Sequence, residues 1–101
     1  MISERVQVDP GDLKNFCDNN RIHRLSIFGS ALTEKFTDNS DIDVLVEFER
    51  GHRVGLLGMA AMERDLSRLF GNRTIDLRTP QELSPYFRDE VLKTAALKYV
   101  S

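Results

Sequence analysis

The spacing of apolar and polar positions changes along this chain, and each change marks an element. From Leu25 to Phe48 the sequence LSIFGSALTEKFTDNSDIDVLVEF holds two apolar runs of strand length, parted by a Gly-Ser break and a polar stretch. In the second run, Asp41, Asp43, Leu45 and Glu47 share one face, while Ile42, Val44, Val46 and Phe48 share the other. The second set predicts a core face. The first sets two carboxylates side by side, an arrangement that opposes folding unless solvent or a cation compensates it.

Elsewhere the spacing is helical. Asp9 as N-cap, Pro10 at the first helical position and Asp12 in the first turn predict a helix carrying Leu13, Phe16 and Cys17 on one stripe and ending at Asn19-Asn20. Arg24 to Phe28 reads as a strand broken by Gly29-Ser30, where a glycine permits a sharp turn and close approach of a ligand. Ala31 to Phe36 predicts one or two helical turns, and Thr37-Asp38-Asn39-Ser40 a turn that launches the strand Ile42 to Phe48. After a polar loop at Arg50-Gly51-His52-Arg53, Val54 to Phe70 predicts the longest helix. Met59, Met62, Leu66, Leu69 and Phe70 form its stripe, and Gly71 stops it.

Arg73 to Arg78 predicts a third strand with Ile75 and Leu77 on one face and Thr74, Asp76 and Arg78 on the other. Thr79-Pro80-Gln81-Glu82 has capping-box spacing. From Ser84-Pro85 onward, Tyr86, Phe87, Val91, Leu92, Ala95, Tyr99 and Val100 predict a C-terminal helix. The resulting class is α/β (α+β): a small mixed twisted sheet with helices packed on one face. The opposite face is expected to lie open and to carry Asp41, Asp43 and Asp76.

Composition narrows the function. A length of 101 residues fits one domain, 1–101, with a single core, and 41% hydrophobic with 30% charged residues fits a soluble globular chain. A net charge of -2 argues against holding nucleic acid through a basic surface, so no direct nucleic-acid binding is expected. Cys17 is the lone cysteine, no apolar run approaches the ~20 residues that span a bilayer, and MISERVQVDPGD lacks the apolar core of a signal peptide. The expected compartment is the cytoplasm, away from membranes.

Three acids on one sheet face suit Mg²⁺, which prefers oxygen ligands and is held by one or two carboxylates together with substrate phosphates. Asp41 and Asp43 can bridge two such ions. Asp76 can hold the one on the attacking side and orient or deprotonate a hydroxyl nucleophile. The Gly29-Ser30 turn offers N–H groups and a hydroxyl to nucleotide phosphates. These parts describe nucleotidyl transfer from a nucleoside triphosphate. The bland readings are a strand-start acid for Asp41, a solvent-facing Asp76 paired with Arg78 or Arg73, a helix cap for Ser30, and surface positions for His23 and His52.

Gly29-Ser30, ten intervening residues and then Asp41-Ile42-Asp43 resemble the signature of the DNA polymerase beta nucleotidyltransferase superfamily. The segments IFGSAL, NSDIDVLVEFERGH, TIDLRTP and LSPYFRDEVLKTA look more narrowly like its minimal nucleotidyltransferases, often antitoxins paired with a HEPN-domain toxin. That resemblance implies a palm-like nucleotidyltransferase fold and transfer of AMP from ATP to a hydroxyl, in characterised pairs a tyrosine of the HEPN partner. It implies two Mg²⁺ ions (Mn²⁺ as a substitute), metal ligation by Asp41, Asp43 and Asp76, and phosphate binding at Gly29 and Ser30. Many members carry a basic residue shortly after the Gly-Ser pair. Here Ala31-Leu32-Thr33-Glu34 stands there, so Lys35 is the first candidate for that role, with Arg53 and Arg78 as substitutes. Two readings compete with AMP transfer to a toxin: a non-catalytic module that neutralises its partner by occlusion, and a small-molecule nucleotidyltransferase with a separate acceptor subunit. Homo-oligomers are compatible with all three.

Overall fold

Asp9 opens the first helix, α1 (Pro10–Asn19), by accepting the Asp12 N–H at 3.0 Å, and Pro10 occupies the first turn, where no N–H is needed. Leu13, Phe16 and Cys17 form its buried stripe. Burial pushes the Cys17 thiol up to about 12, so it behaves as a small apolar side chain. Arg21, in the left-handed region at φ 55°, turns the chain into β1 (Ile22–Phe28). The computed structural model describes residues 8–32 and 40–101, apart from the side chain of Ser30.

A short 3₁₀ turn, Gly29–Leu32, follows β1, and β2 (Ile42–Phe48) returns antiparallel to it. Helix α2 (Leu56–Leu69) then crosses to β3 (Ile75–Arg78), which pairs parallel with β2. A second 3₁₀ turn, Pro80–Glu82, leads to α3 (Pro85–Thr94) and to β4 (Ala96–Val100), antiparallel to β1. The sheet is mixed, in the order β3-β2-β1-β4. Ile22, Leu25 and Ile27 of β1, Ile42, Val44 and Val46 of β2, and Ile75 and Leu77 of β3 form one apolar face, against which α1 and α2 bury Phe16, Cys17, Met62 and Leu66. In β2 and β3 every second residue serves this core, as the alternation predicted, while a register shift between Ile22 and Arg24 brings Ile22 onto the same face as Leu25 and Ile27.

The expected element boundaries shift at several places. The strand expected from Arg24 begins at Ile22, because buried Ile22 pairs with Phe48. The long helix starts at Leu56 instead of Val54, Gly55 being an extended N-cap. The third strand starts at Ile75 instead of Arg73.

The C-terminal helix is corrected more deeply: it stops at Thr94, and the last apolar residues form β4. A helix continued to Val100 would leave the outer edge of β1 without backbone partners. As a strand, the segment supplies those bonds, lays Tyr99 against the core and lets its hydroxyl donate to Asp18 Oδ1 at 2.8 Å. The face expected to be open is also partly covered. Leu45 and Ser26 are buried there, Leu83 is buried outside the main core, and the Pro80–Glu82 turn contacts β2. The helical turns expected from Ala31 to Phe36 are present up to Leu32; the rest, and Thr37-Asp38-Asn39, lie outside the described residues.

Candidate active site

The site is assembled by strand register. Phe28 pairs with Asp43 across β1 and β2, so the turn that follows Phe28 lands beside that carboxylate. Gly29 makes the turn at φ 74°, and a Cβ at this position would collide with Asp43 Oδ2 and lie 3.2 Å from its Cγ. Backbone conformation and space both demand glycine. Ala31, buried within the same turn, anchors it to the core.

Asp43 in turn pairs with Asp76 across the parallel β2–β3 ladder, which puts two carboxylates on one face of adjacent strands. The Asp43 carboxyl is held above the usual carboxylate range. Burial is the main cause, reinforced by the neighbouring Asp76 and Asp41 charges, with Arg78 acting against it and a hydrogen bond to Asp76 adding to it. Asp76 is differently placed. Arg78, two residues along the same strand face, donates from Nε to Asp76 Oδ1 at 3.0 Å and from Nη2 to Oδ2 at 3.5 Å. That contact raises the Arg78 guanidinium further and holds Asp76 in place.

The register itself is clamped at the start of the two strands. Ile42 N–H donates to Thr74 O at 2.9 Å, and Arg73 Nη2 reaches Ser40 O at 2.7 Å. On the helix side, Glu63 of α2 accepts the Leu77 N–H at 2.9 Å, satisfying a donor of the edge strand β3. Neither Arg73 nor Glu63 was singled out by sequence reasoning for these tasks, since both partners are backbone groups distant in sequence. For Asp76 the strand pattern offered Arg78 or Arg73 as a partner, and the structure selects Arg78.

Of the predicted site residues, Gly29, Asp43 and Asp76 come together. Asp41, exposed just before β2, is close enough to act on Asp43 electrostatically. Among the described residues, however, no three His, Cys, Asp or Glu side chains are grouped to hold a metal ion. Ser30 contributes its backbone to the Gly29–Leu32 turn, while its side chain and the whole of Lys35 lie outside the described residues. Arg53 is exposed in the loop before α2, and Arg78 is occupied by Asp76.

This geometry has relatives. The family model described as "Polymerase beta, Nucleotidyltransferase" matches residues 12–99. The chain belongs to this nucleotidyltransferase family. It is similar to a Methanocaldococcus jannaschii protein that bears the provisional name protein adenylyltransferase, with 34% identity over 74 residues, 73% of this chain and 76% of that protein. A solved structure provisionally named a minimal nucleotidyltransferase is 31% identical, with a TM-score of 0.67 and coverage of 85% of each chain. The crystal structure of a toxin–antitoxin with AMP-PNP superposes with a TM-score of 0.72 at 16% identity, covering 93% of this chain and 75% of that one. An MntA–HepT toxin–antitoxin structure superposes at 0.64 and 15%, covering 91% and 70%. At those identities the likeness concerns the fold. The polymerase beta family assignment makes this chain a nucleotidyltransferase, and it fits a site in which register brings Asp43, Asp76 and Gly29 together. Among the described residues no helix is long and apolar enough to cross a membrane.

Proposed function

We propose that this chain transfers AMP from ATP to a hydroxyl of a protein partner, a HEPN-type toxin, and thereby acts as its antitoxin. The observation that carries the reading is the Asp43–Asp76 pair set in register beside Gly29. Support for the adenylyl group comes from the Methanocaldococcus jannaschii relative, provisionally a protein adenylyltransferase, and support for the partner from structural neighbours that are toxin–antitoxin structures.

A divalent metal fits these residues. Asp43 sits in a partly dry site facing other carboxylates, a charge arrangement that a cation relieves. Asp43 and Asp76 would hold Mg²⁺ or Mn²⁺, with water and substrate phosphates completing the shell and Asp41 at its margin. Such an ion, when bound, supplies charge neutralisation at the phosphate undergoing displacement.

The protein's own groups do the rest. Gly29 lets the turn backbone approach the phosphates without a Cβ in the way, and the N–H groups of the following turn offer donors to them. Arg78 holds Asp76 in a fixed orientation, so that Asp76 can position the acceptor hydroxyl in line with the phosphate. The proton of that hydroxyl leaves to solvent. Buried Leu45, next along the acid face after Asp43, gives the site a firm floor.

The test uses ATP labelled on the α-phosphate, Mg²⁺ and the partner encoded beside this chain. Label should reach the partner with the wild type and not with Asp43→Asn or Asp76→Asn. A partner silenced equally by all three proteins, without label, would reject the proposal. That outcome would favour neutralisation by occlusion, for which one feature speaks: the exposed apolar positions Tyr86, Phe87, Leu92, Leu97 and Val100 offer a binding surface that needs no carboxylate.

A further inference from the structure

The chain has two tyrosines, and the fold treats them in opposite ways. Tyr99 packs on the core face and its hydroxyl donates to Asp18 Oδ1 at 2.8 Å, a carboxylate that Lys14 also grips at 2.6 Å. That hydrogen bond raises the phenol above its ordinary value, which leaves Tyr99 a poor nucleophile as well as a tethered one. Tyr86, in the first turn of α3, is 98% exposed, and its hydroxyl has no partner among the described residues.

Only the base of Tyr86 is fixed. Its N–H donates to Ser84 Oγ at 3.3 Å, Pro85 stiffens the approach, and Arg88 Nη2 ties the helix start back to Leu83 O at 3.0 Å and Gln81 O at 3.4 Å. An aromatic ring held out in water by an ordered backbone is a costly placement for a side chain that gains most from burial. Several other hydroxyls are engaged: Ser101 with His23, Thr79 with Glu82, and Thr94 with Glu90 O.

We propose that Tyr86 is a self-modification site, adenylylated by a second copy of this chain. The inference rests on the adenylyl-transfer reading above. The Tyr86 oxygen forms a bond to the α-phosphorus of ATP, the bond from that phosphorus to the oxygen bridging to the β-phosphate breaks, and pyrophosphate leaves with the electron pair. The phenolic proton goes to water. The acceptor is assigned to a second copy on accessibility: Tyr86 is 98% exposed, and Arg88 ties its helix start to Leu83 O and Gln81 O. An exposed ring of this kind is open to another molecule's carboxylates. Its product places a phosphodiester charge beside exposed Phe87, so modification would also weaken an apolar contact made there.

The experiment incubates the full chain with Mg²⁺ and α-labelled ATP over a range of chain concentrations, alone and with the partner protein. Wild type, Tyr86→Phe and Tyr99→Phe are compared. A tagged Asp43→Asn chain serves as acceptor only, and peptide mass spectrometry locates the AMP. Expected is self-labelling that rises with chain concentration, persists in Tyr99→Phe, and falls at least about tenfold in Tyr86→Phe. The tagged Asp43→Asn chain should gain AMP on Tyr86 only when wild type is present. Equal labelling of Tyr86→Phe, or labelling of the partner with none on this chain, overturns the inference and leaves adenylyl transfer standing. Label on neither chain nor partner overturns both.

Discussion

Strand β2 carries two proteins' worth of chemistry on its alternate residues. Ile42, Val44 and Val46 are fully buried against α1 and α2, and nothing about them concerns catalysis. One residue over, Asp43 is held half-buried among like charges at a backbone turn that excludes even a methyl group. The first face stabilises the fold; the second draws on that stability to keep carboxylates where solvent alone would not group them. The contrast extends to β3, where buried Ile75 and Leu77 alternate with Asp76 and Arg78. A strand is well suited to this division, because one register fixes both faces at once.

The comparison can be broken from either side. The largest effect belongs to the acid face: Gly29→Ala, Asp43→Asn and Asp76→Asn should each lower adenylyl transfer on the order of 100-fold or more, as read by labelled partner per folded molecule. Their cooperative unfolding should be retained. On the other face, Leu66→Ala, which empties a fully buried position of α2, should cost about 3 kcal/mol in denaturant unfolding. Transfer per folded molecule should hardly change. A Leu66→Ala protein that kept its stability but lost transfer would mean that the two faces are not separable.

Smaller changes sharpen the picture. Arg78→Met removes the cation that orders Asp76, and transfer should fall by about tenfold, less than for loss of either carboxylate. A loss as large as that of Asp76→Asn would make Arg78 a direct phosphate contact. Smallest of all is Tyr99→Phe, measured by thermal melting. Lys14 and then Tyr99 hold the Asp18 carboxyl below its usual range by hydrogen bonding. A lowered carboxyl contributes stability that is present above its unfolded-state pKa and lost as pH falls through the folded one. The melting difference between wild type and Tyr99→Phe should therefore be slight at neutral pH and vanish in acid.

Much of this was legible in the sequence because it is local. The alternation from Ile42 to Phe48, the Asp9-Pro10 helix start and the Gly71 stop each act within a few residues, and β2 has the bounds that its pattern predicted. Gly29 was readable as a turn, but its second role, making room for Asp43, depends on the Phe28–Asp43 register and so on tertiary structure. The fourth strand was hidden for a related reason. Leu92, Ala95 and Tyr99 fit a helical stripe, and only the open edge of β1 selects the extended form for Ala96–Val100. The burial of Leu45 on the acid face was missed because strand alternation assigns a residue to a face without saying what later lies over it.

The most direct test of the central claim, that the acid face is a strained cation and nucleotide site supported by the apolar one, is the stability of wild type against Asp43→Asn with and without Mg²⁺. Because the Asp43 carboxyl is raised in the folded state, its charged form costs stability. The favourable contribution is complete below its unfolded-state pKa and is lost as pH rises through the folded one. In metal-free buffer at neutral pH, Asp43→Asn should therefore melt a few degrees above wild type, and the two should converge in acid. Adding Mg²⁺ with a non-hydrolysable ATP analogue should raise the wild type alone, closing or reversing the gap. An Asp43→Asn protein that is less stable than wild type without metal, and whose deficit does not change when metal and nucleotide are added, would contradict the account.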